Sequence, residues 1–255
     1  MTKVSLNVKL LSHTIDPELT IALGGKLCYS KSEIDTLRED TKGNEDKFVG
    51  KLMSFGHLSP LEHASFTFGV QGVSRALLAQ ITRHRIASFS VQSQRYVTND
   101  ELTYIVPPSI AALGDEAVRE FEAQMTTLHG FYSKWLEKGI PAEDARFVLP
   151  NAAETRMIFT MNVRELLHFF ELRCCMRAQW EIRRLAWCML AMVRREAPAI
   201  FNTKGTSCVS SVCSEGKMTC GRAREVCELD EQLTELVKND ASDEEIINWV
   251  NENIR

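Results

Sequence analysis

The sequence predicts one domain of mixed α and β structure, on three observations. Residues 4–13 and 63–71 alternate apolar and polar side chains with the period of a strand. Several longer stretches repeat apolar residues at helical spacing. Nowhere in the 255 residues does the composition shift towards a linker, an internal repeat or a low-complexity tract.

Taken in chain order, VSLNVKLLSH (4–13) alternates as a half-buried strand. Asp16-Pro17 opens a short helix towards Leu23, which Gly24-Gly25 is expected to end. Residues 43–57 place Phe48, Leu52 and Met53 at helical spacing, with Gly56 near the stop. HASFTFGVQ (63–71) is the clearest strand, because Phe66, Phe68 and Val70 share one face. SRALLAQITRHR (74–85) reads as a helix and SVQSQRYV (90–97) as loop or strand. Gly114–Lys138 carries Val118, Phe121, Met125 and Leu128 along one helical side, and Pro141–Ala145 begins another short helix. From Asn162 to about Arg195 the pattern is helical again, with Asn162 and Glu165 at capping-box spacing. Unbroken, that helix would be about 50 Å long, so a break near Cys174-Cys175 is expected. The chain turns acidic from Glu225 and ends in the amphipathic DEEIINWVNENI.

A 44% hydrophobic, 25% charged chain can bury a sizeable core. Its net charge of -4 argues against general affinity for nucleic acid or a membrane surface. The N-terminal MTKVSLNVKLLSHT lacks the apolar core of an export signal. No stretch is apolar for long enough to span a bilayer. These features point to a cytoplasmic protein whose eight cysteines are reduced.

Against that acidic background, ITRHRIASFSVQSQRYV (81–97) gathers Arg83, His84, Arg85 and Arg95 among hydroxyl and amide side chains. The arginine fork matches phosphate oxygens and stays charged at any working pH. An extended segment would put Ser93 and Arg95 on one side, and Gln80, Arg83 and His84 share a helix end. A helix terminus complementing its own dipole, followed by a polar loop, would use the same residues. Ile81, Phe89, Val91 and Tyr96 interleave with the charges and imply partial burial, and no acid lies between Glu62 and Asp100. Buried arginines need anionic or hydrogen-bonding partners, which favours an anion pocket.

RHRIASFSVQS (83–93) also fits the pattern R-H-R-x7-S. With GHLSPLEH (56–63), ARFVLP (145–150) and NVRELLHFFELRCCMRAQWEIR (162–183) in the same order, the chain resembles the flavin-dependent thymidylate synthases as far as about residue 200. The resemblance implies an α+β fold, a central and mostly antiparallel sheet flanked by helices, spanning 1–255 with 205–255 as a C-terminal extension. It implies a methyltransferase that converts dUMP to dTMP, with 5,10-methylenetetrahydrofolate as one-carbon donor and NADPH as reductant. FAD would lie in a pocket shared between subunits of a homotetramer, with dUMP stacked on the flavin.

By the same resemblance, Arg83, His84 and Arg85 contact FAD, Arg83 also lying near the nucleotide. Gln80, Ser93, Gln94 and Arg95 hold dUMP, chiefly its phosphate, and Arg146 joins them. His57, Ser59 and, more weakly, Glu62 match positions near the flavin. Asn162, Arg164 and His168 reach the flavin nucleotide, Arg164 and His168 being four apart on one helix face. Arg173 resembles the arginine that contacts uracil and favours ionisation at N3, making C5 nucleophilic. Arg177 stands where some relatives have histidine. Many relatives carry Asn-Glu where this chain has Ser90-Val91, so a cofactor contact at Val91 must come from backbone.

Other readings of these residues are blander: Asn162 is a helix cap, His168 a core histidine, and Arg146 and Arg173 helix-surface arginines. Ser93 lacks a neighbouring base that would make it a nucleophile. Cys208, Cys213, Cys220 and Cys227 contain no tight C-x-x-C pair, so free thiols rather than a metal site are expected. From a different class, residues 83–95 with Tyr96 could serve a nucleic-acid-binding module, but the acidic balance and the lack of spaced aromatic pairs count against it.

Overall fold

In the computed structural model, which describes residues 2–97 and 101–254, the strands are β1 (Thr2–Lys3), β2 (Asn7–His13), β3 (Ser65–Ser74), β4 (Ala87–Val91), β5 (Thr103–Tyr104) and β6 (Glu154–Asn162). Four of them form one sheet in the order β2-β3-β6-β4, and β1 pairs in parallel with β5. The larger sheet is antiparallel. Thr67 of β3 meets Thr160 of β6 through a 2.8 Å hydroxyl contact, whereas Gly72, farther along β3, donates its N–H to Glu154 at the start of β6.

The helices up to the last strand are α1 (Pro17–Leu27), α2 (Ile34–Glu39), α3 (Glu45–Ser54), α4 (Arg75–Ile81), α5 (Pro108–Ala111), α6 (Asp115–Glu137) and α7 (Ala142–Ala145). After it come α8 (Val163–Arg173), α9 (Trp180–Glu196), α10 (Pro198–Phe201), α11 (Ser207–Ser210), α12 (Ala223–Lys238) and α13 (Asp243–Asn253). This is the α+β class, antiparallel sheet and flanking helices that the sequence predicts. The helix–strand–helix alternation is distributed over two compact units, the first of residues 1–7, 70–83 and 89–158, the second of 8–69, 84–88 and 159–255.

In the first unit, α6 packs Val118, Phe121, Met125 and Leu128 on Leu102, Tyr104, Val106 and Ala153, so the apolar stripe read from sequence is the packing stripe. Gly72 marks a close approach in this unit. Its φ is 68°, and a Cβ there would stand 1.8 Å from the carbonyl oxygen of Ser5. Gly72→Ala is therefore expected to destabilise the protein by at least about 2 kcal/mol, from left-handed backbone and backbone overlap together. An unchanged urea midpoint would contradict that.

In the second unit, Phe66 of β3, Phe170 of α8 and Phe201 of α10 meet edge to face, Phe201 lying 6.0 Å from Phe66 and 5.9 Å from Phe170. Such pairs add about 0.5–1.5 kcal/mol each beyond the area they bury. The expected break between α8 and α9 is present. Gln179 caps α9 by accepting from the N–H groups of Glu181 and Ile182, and the Trp187 indole donates to the carbonyl of Cys174 at 3.0 Å.

Several elements differ from the sequence reading, α1, α4, β4 and β6 among them. α1 runs through Gly24-Gly25 to Leu27, because Gly25 is a packing glycine: a Cβ there would lie 2.6 Å from Leu52 and 3.0 Å from Phe48 of α3. α4 stops at Ile81, and β4 occupies 87–91, so residues 92–97 turn rather than extend. β6 occupies a stretch to which the sequence reading assigns no element.

Candidate functional site

In the first unit, Gln80 closes α4 and its amide donates to the Ala76 carbonyl at 3.4 Å. Arg83 follows, exposed. Val91 ends β4, and the turn behind it holds Ser93, whose hydroxyl accepts the Arg95 N–H at 3.1 Å. Gln94 has its amide nitrogen buried with no partner among the described residues. Glu143 collects two of the predicted arginines: its carboxylate accepts from Arg95 Nε at 2.6 Å and its carbonyl from Arg146 Nε at 3.0 Å.

Arg75, which the sequence reading passes over, belongs with this group. It donates to the Thr155 hydroxyl at 3.2 Å, and burial first, the Arg146 charge second, lowers its pKa. Two guanidiniums that repel each other make a site that an anion would stabilise. The signal available in sequence was its place at the start of a helix directly behind a capping Ser74.

In the second unit, Asn162 ends β6 and caps α8, its side chain accepting the Glu165 N–H at 2.9 Å. That abrupt strand-to-helix step sets the register of α8. Glu165, Phe169 and Arg173 stand four apart and share one face, and all three meet His84. Glu165 Oε1 lies 2.7 Å from His84 Nδ1, Arg173 Nε donates to His84 Nε2 at 3.1 Å, and the Phe169 ring stands edge-on at 5.0 Å. His84 is 4% exposed, so it faces α8 rather than solvent. Half of the capping box forms: the Glu165 carboxylate goes to His84.

Burial lowers the His84 pKa below its ordinary 6.5; the Glu165 hydrogen bond opposes this, and the Arg173 and His168 charges reinforce it. The unfolded chain therefore binds the extra proton first. This contribution to stability is intact above pH 6.5 and declines as pH falls from there towards the lower folded value. Arg173 is half-buried, and burial lowers its pKa too.

A cavity of about 680 Å³ opens beside α8, lined by Asn162, Arg164, His168, Glu62, Lys204 and Ser207 among others. A second, of about 430 Å³, includes His57, Ser59 and again Arg164. Arg164 donates to Glu62 across their exposed ion pair. His57, Ser59, Arg85 and His168 are exposed. The guanidinium, imidazole, ammonium and hydroxyl donors of the larger cavity suit the oxygens of a phosphorylated ligand. Lys204 and Ser207 were not singled out from sequence; the hydroxyl-rich TKGTSCVSS (203–211) was their signal. Arg177 ties the chain behind α8 to the Met218 carbonyl at 2.7 Å. The four cysteines from 208 to 227 are free, and Cys227 Sγ donates to the Cys208 carbonyl.

The model of the family Thymidylate synthase complementing protein (Thy1) matches residues 9–199. A flavin-dependent thymidylate synthase of Geobacter sulfurreducens is 52% identical over 232 residues, covering 90% of this chain and all of that one. The chain belongs to this family. As a member of the flavin-dependent thymidylate synthases it is a methyltransferase. A second relative of that name, from Clostridium tetani, is 45% identical over 239 residues, covering 88% of this chain and 96% of its own. The crystal structure of the UMP/dUMP methylase PolB from Streptomyces cacaoi bound with 5-Br dUMP aligns with a TM-score of 0.69 and 24% identity. It covers 79% of this chain and 95% of that one, and at that identity it attests the fold.

Proposed function

We propose that this chain is an FAD-dependent thymidylate synthase that converts dUMP to dTMP, taking the one-carbon unit from 5,10-methylenetetrahydrofolate and reducing equivalents from NADPH. The products would be dTMP, tetrahydrofolate and NADP. One observation carries the reading: Arg173 is held from behind by a neutral imidazole and has no carboxylate partner among the described residues, so its charge is available to a substrate.

The residues fit the cofactor. Arg164, His168, Lys204 and Ser207 present donors for a diphosphate around one cavity, which Asn162 and Glu62 also line, and His57 and Ser59 line the smaller one; Arg83, Arg85 and the backbone of Val91 would be further cofactor contacts. When bound, the flavin supplies the redox chemistry, and the protein supplies position and charge. His84, which the motif also assigns to the cofactor, is packed against α8.

Gln80, Ser93, Gln94, Arg95 and Arg146 would hold dUMP, with Arg75 adding a second guanidinium beside Arg146. Arg173 would face the uracil ring and stabilise the negative charge that grows as N3 loses its proton and C5 gains nucleophilicity. The enzyme would act in the cytoplasm as a homotetramer with active sites shared between subunits. The whole of 1–255 would serve one catalytic domain, extended by 205–255. Among the described residues no helix is long and apolar enough to cross a membrane.

The test is dTMP formation by the purified protein with each component withheld in turn. Product that requires dUMP, the folate, NADPH and FAD together supports the reading. Protein that makes no dTMP under any combination and instead retains RNA overturns it.

A further inference from the structure

Glu165 has no part in the reaction proposed above, yet its side chain is 7% exposed and its carboxylate is aimed at one imidazole. We propose that Glu165 is a positioning residue for Arg173: its carboxylate fixes the tautomer of His84, and the free ring nitrogen of His84 then holds the guanidinium by its Nε–H alone. This rests on reading Arg173 as the group that meets the substrate.

The tautomer follows from the two contacts. Arginine Nε is always a donor, so the His84 Nε2 it approaches at 3.1 Å must present its lone pair. A neutral imidazole in that state carries its proton on Nδ1, the nitrogen 2.7 Å from Glu165 Oε1. A carboxylate is an acceptor, so Nδ1–H donates to it, and only this tautomer satisfies both partners. An imidazolium would set two N–H groups against each other at Nε2. The charged or titratable groups facing the ring are Glu165, Arg173 and His168, all on α8.

The arrangement explains why the acid does not meet the arginine directly. A carboxylate against Arg173 would take its terminal nitrogens in a two-pronged pair and occupy the atoms a substrate needs. The intervening imidazole engages Nε only. Nη1 and Nη2 of Arg173 keep no partner among the described residues. The counter-charge is held one ring away, where it orders the guanidinium without covering it. Phe169 stands edge-on to the ring of His84, which is 4% exposed.

The test uses the full-length protein labelled with ¹⁵N-histidine, the His84 signals being identified by their loss in His84→Asn. At pH 7.5, His84 is expected to show a pyrrole-like Nδ1 and a pyridine-like Nε2. Glu165→Ala should lose that fixed tautomer and lower kcat for dTMP formation on the order of 10- to 100-fold, as a misaimed catalytic group does. KM for dUMP should change much less, because the lost interaction acts in the transition state. Glu165→Gln, whose amide oxygen still accepts from Nδ1–H, should keep the tautomer and restore most of kcat. An Nε2–H tautomer or an imidazolium in the wild type overturns the proposal, and so does Glu165→Ala with unchanged kcat. Should Glu165→Ala not fold, loss of the tautomer in Glu165→Gln overturns it and retention supports it. A wild type with the expected tautomer that makes no dTMP refutes the thymidylate synthase reading and leaves the relay standing.

Discussion

Arg173→Ala is expected to lower kcat for dTMP formation on the order of 10²- to 10³-fold while the protein keeps its flavin. Removing one preorganised donor from the position where charge develops costs that much in comparable sites, about 2.7–4 kcal/mol. The effect should be this large because Arg173 is half-buried and its charge acts in a medium less screening than water. It should be confined to the chemical step because the donor-rich cavity depends on Arg164, His168, Lys204 and Ser207 instead. Arg173→Lys is the informative control. It keeps a positive charge but has no Nε–H fork to share between His84 and a substrate, so it should recover only part of the rate. The visible spectrum and steady-state kinetics of the two variants read both properties. Loss of bound flavin with dUMP affinity intact would show that Arg173 serves the cofactor.

Asp230→Ala carries the largest expected effect on stability, about 3–5 kcal/mol, and a fall in Tm on the order of 10 °C. Its partner Arg194 is fully buried, and each of its three side-chain nitrogens donates within the second unit. Arg194 Nη2 donates to Asp230 at 2.6 Å and to the Lys204 carbonyl at 2.8 Å, Nε donates to the Phe201 carbonyl at 3.1 Å, and Nη1 to the Thr234 hydroxyl at 3.0 Å. The network binds α9 to α12 and to the chain after α10. Burial raises the Asp230 pKa and the Arg194 charge opposes that shift, so the carboxylate is held ionised chiefly by this one cation. Truncating it leaves a buried guanidinium with neutral partners only. Because Lys204 leads into the segment that lines the larger cavity, flavin affinity should fall with stability. Urea denaturation of the variant decides the matter, and a loss below about 1 kcal/mol would mean the pair matters little.

Sequence periodicity located most of the elements, and the reasons it failed elsewhere are physical. The inward residues of β6, Thr155, Met157, Phe159 and Met161, alternate correctly, but Ile158 on the outward side is itself apolar and 48% exposed. The run Met157-Ile158-Phe159 therefore loses its period-2 signature. Gly24-Gly25 reads as a helix stop, yet Gly25 is there to admit Leu52 and Phe48; nothing in local sequence separates a terminating glycine from a packing one. The R-H-R-x7-S spacing identified the family, but it could not reveal that His84 turns inward while Arg83 and Arg85 stay exposed. That division is made by α8, whose face of Glu165, Phe169 and Arg173 was legible as an i, i+4, i+8 series. The resemblance points to Arg173 on that face and to the neighbouring exposed pair Arg164 and His168, while Glu165 reads only as a capping-box partner of Asn162.

The most direct measurement of the central claim is a single turnover under anaerobic conditions. Protein loaded with FAD is mixed with NADPH with and without dUMP, the flavin absorbance is followed, and 5,10-methylenetetrahydrofolate is then added and dTMP quantified. The account predicts flavin bands that bleach, return on addition of the folate, and yield about one dTMP per flavin reoxidised. Flavin that bleaches and returns without any dTMP, or protein that takes up no flavin, would contradict it.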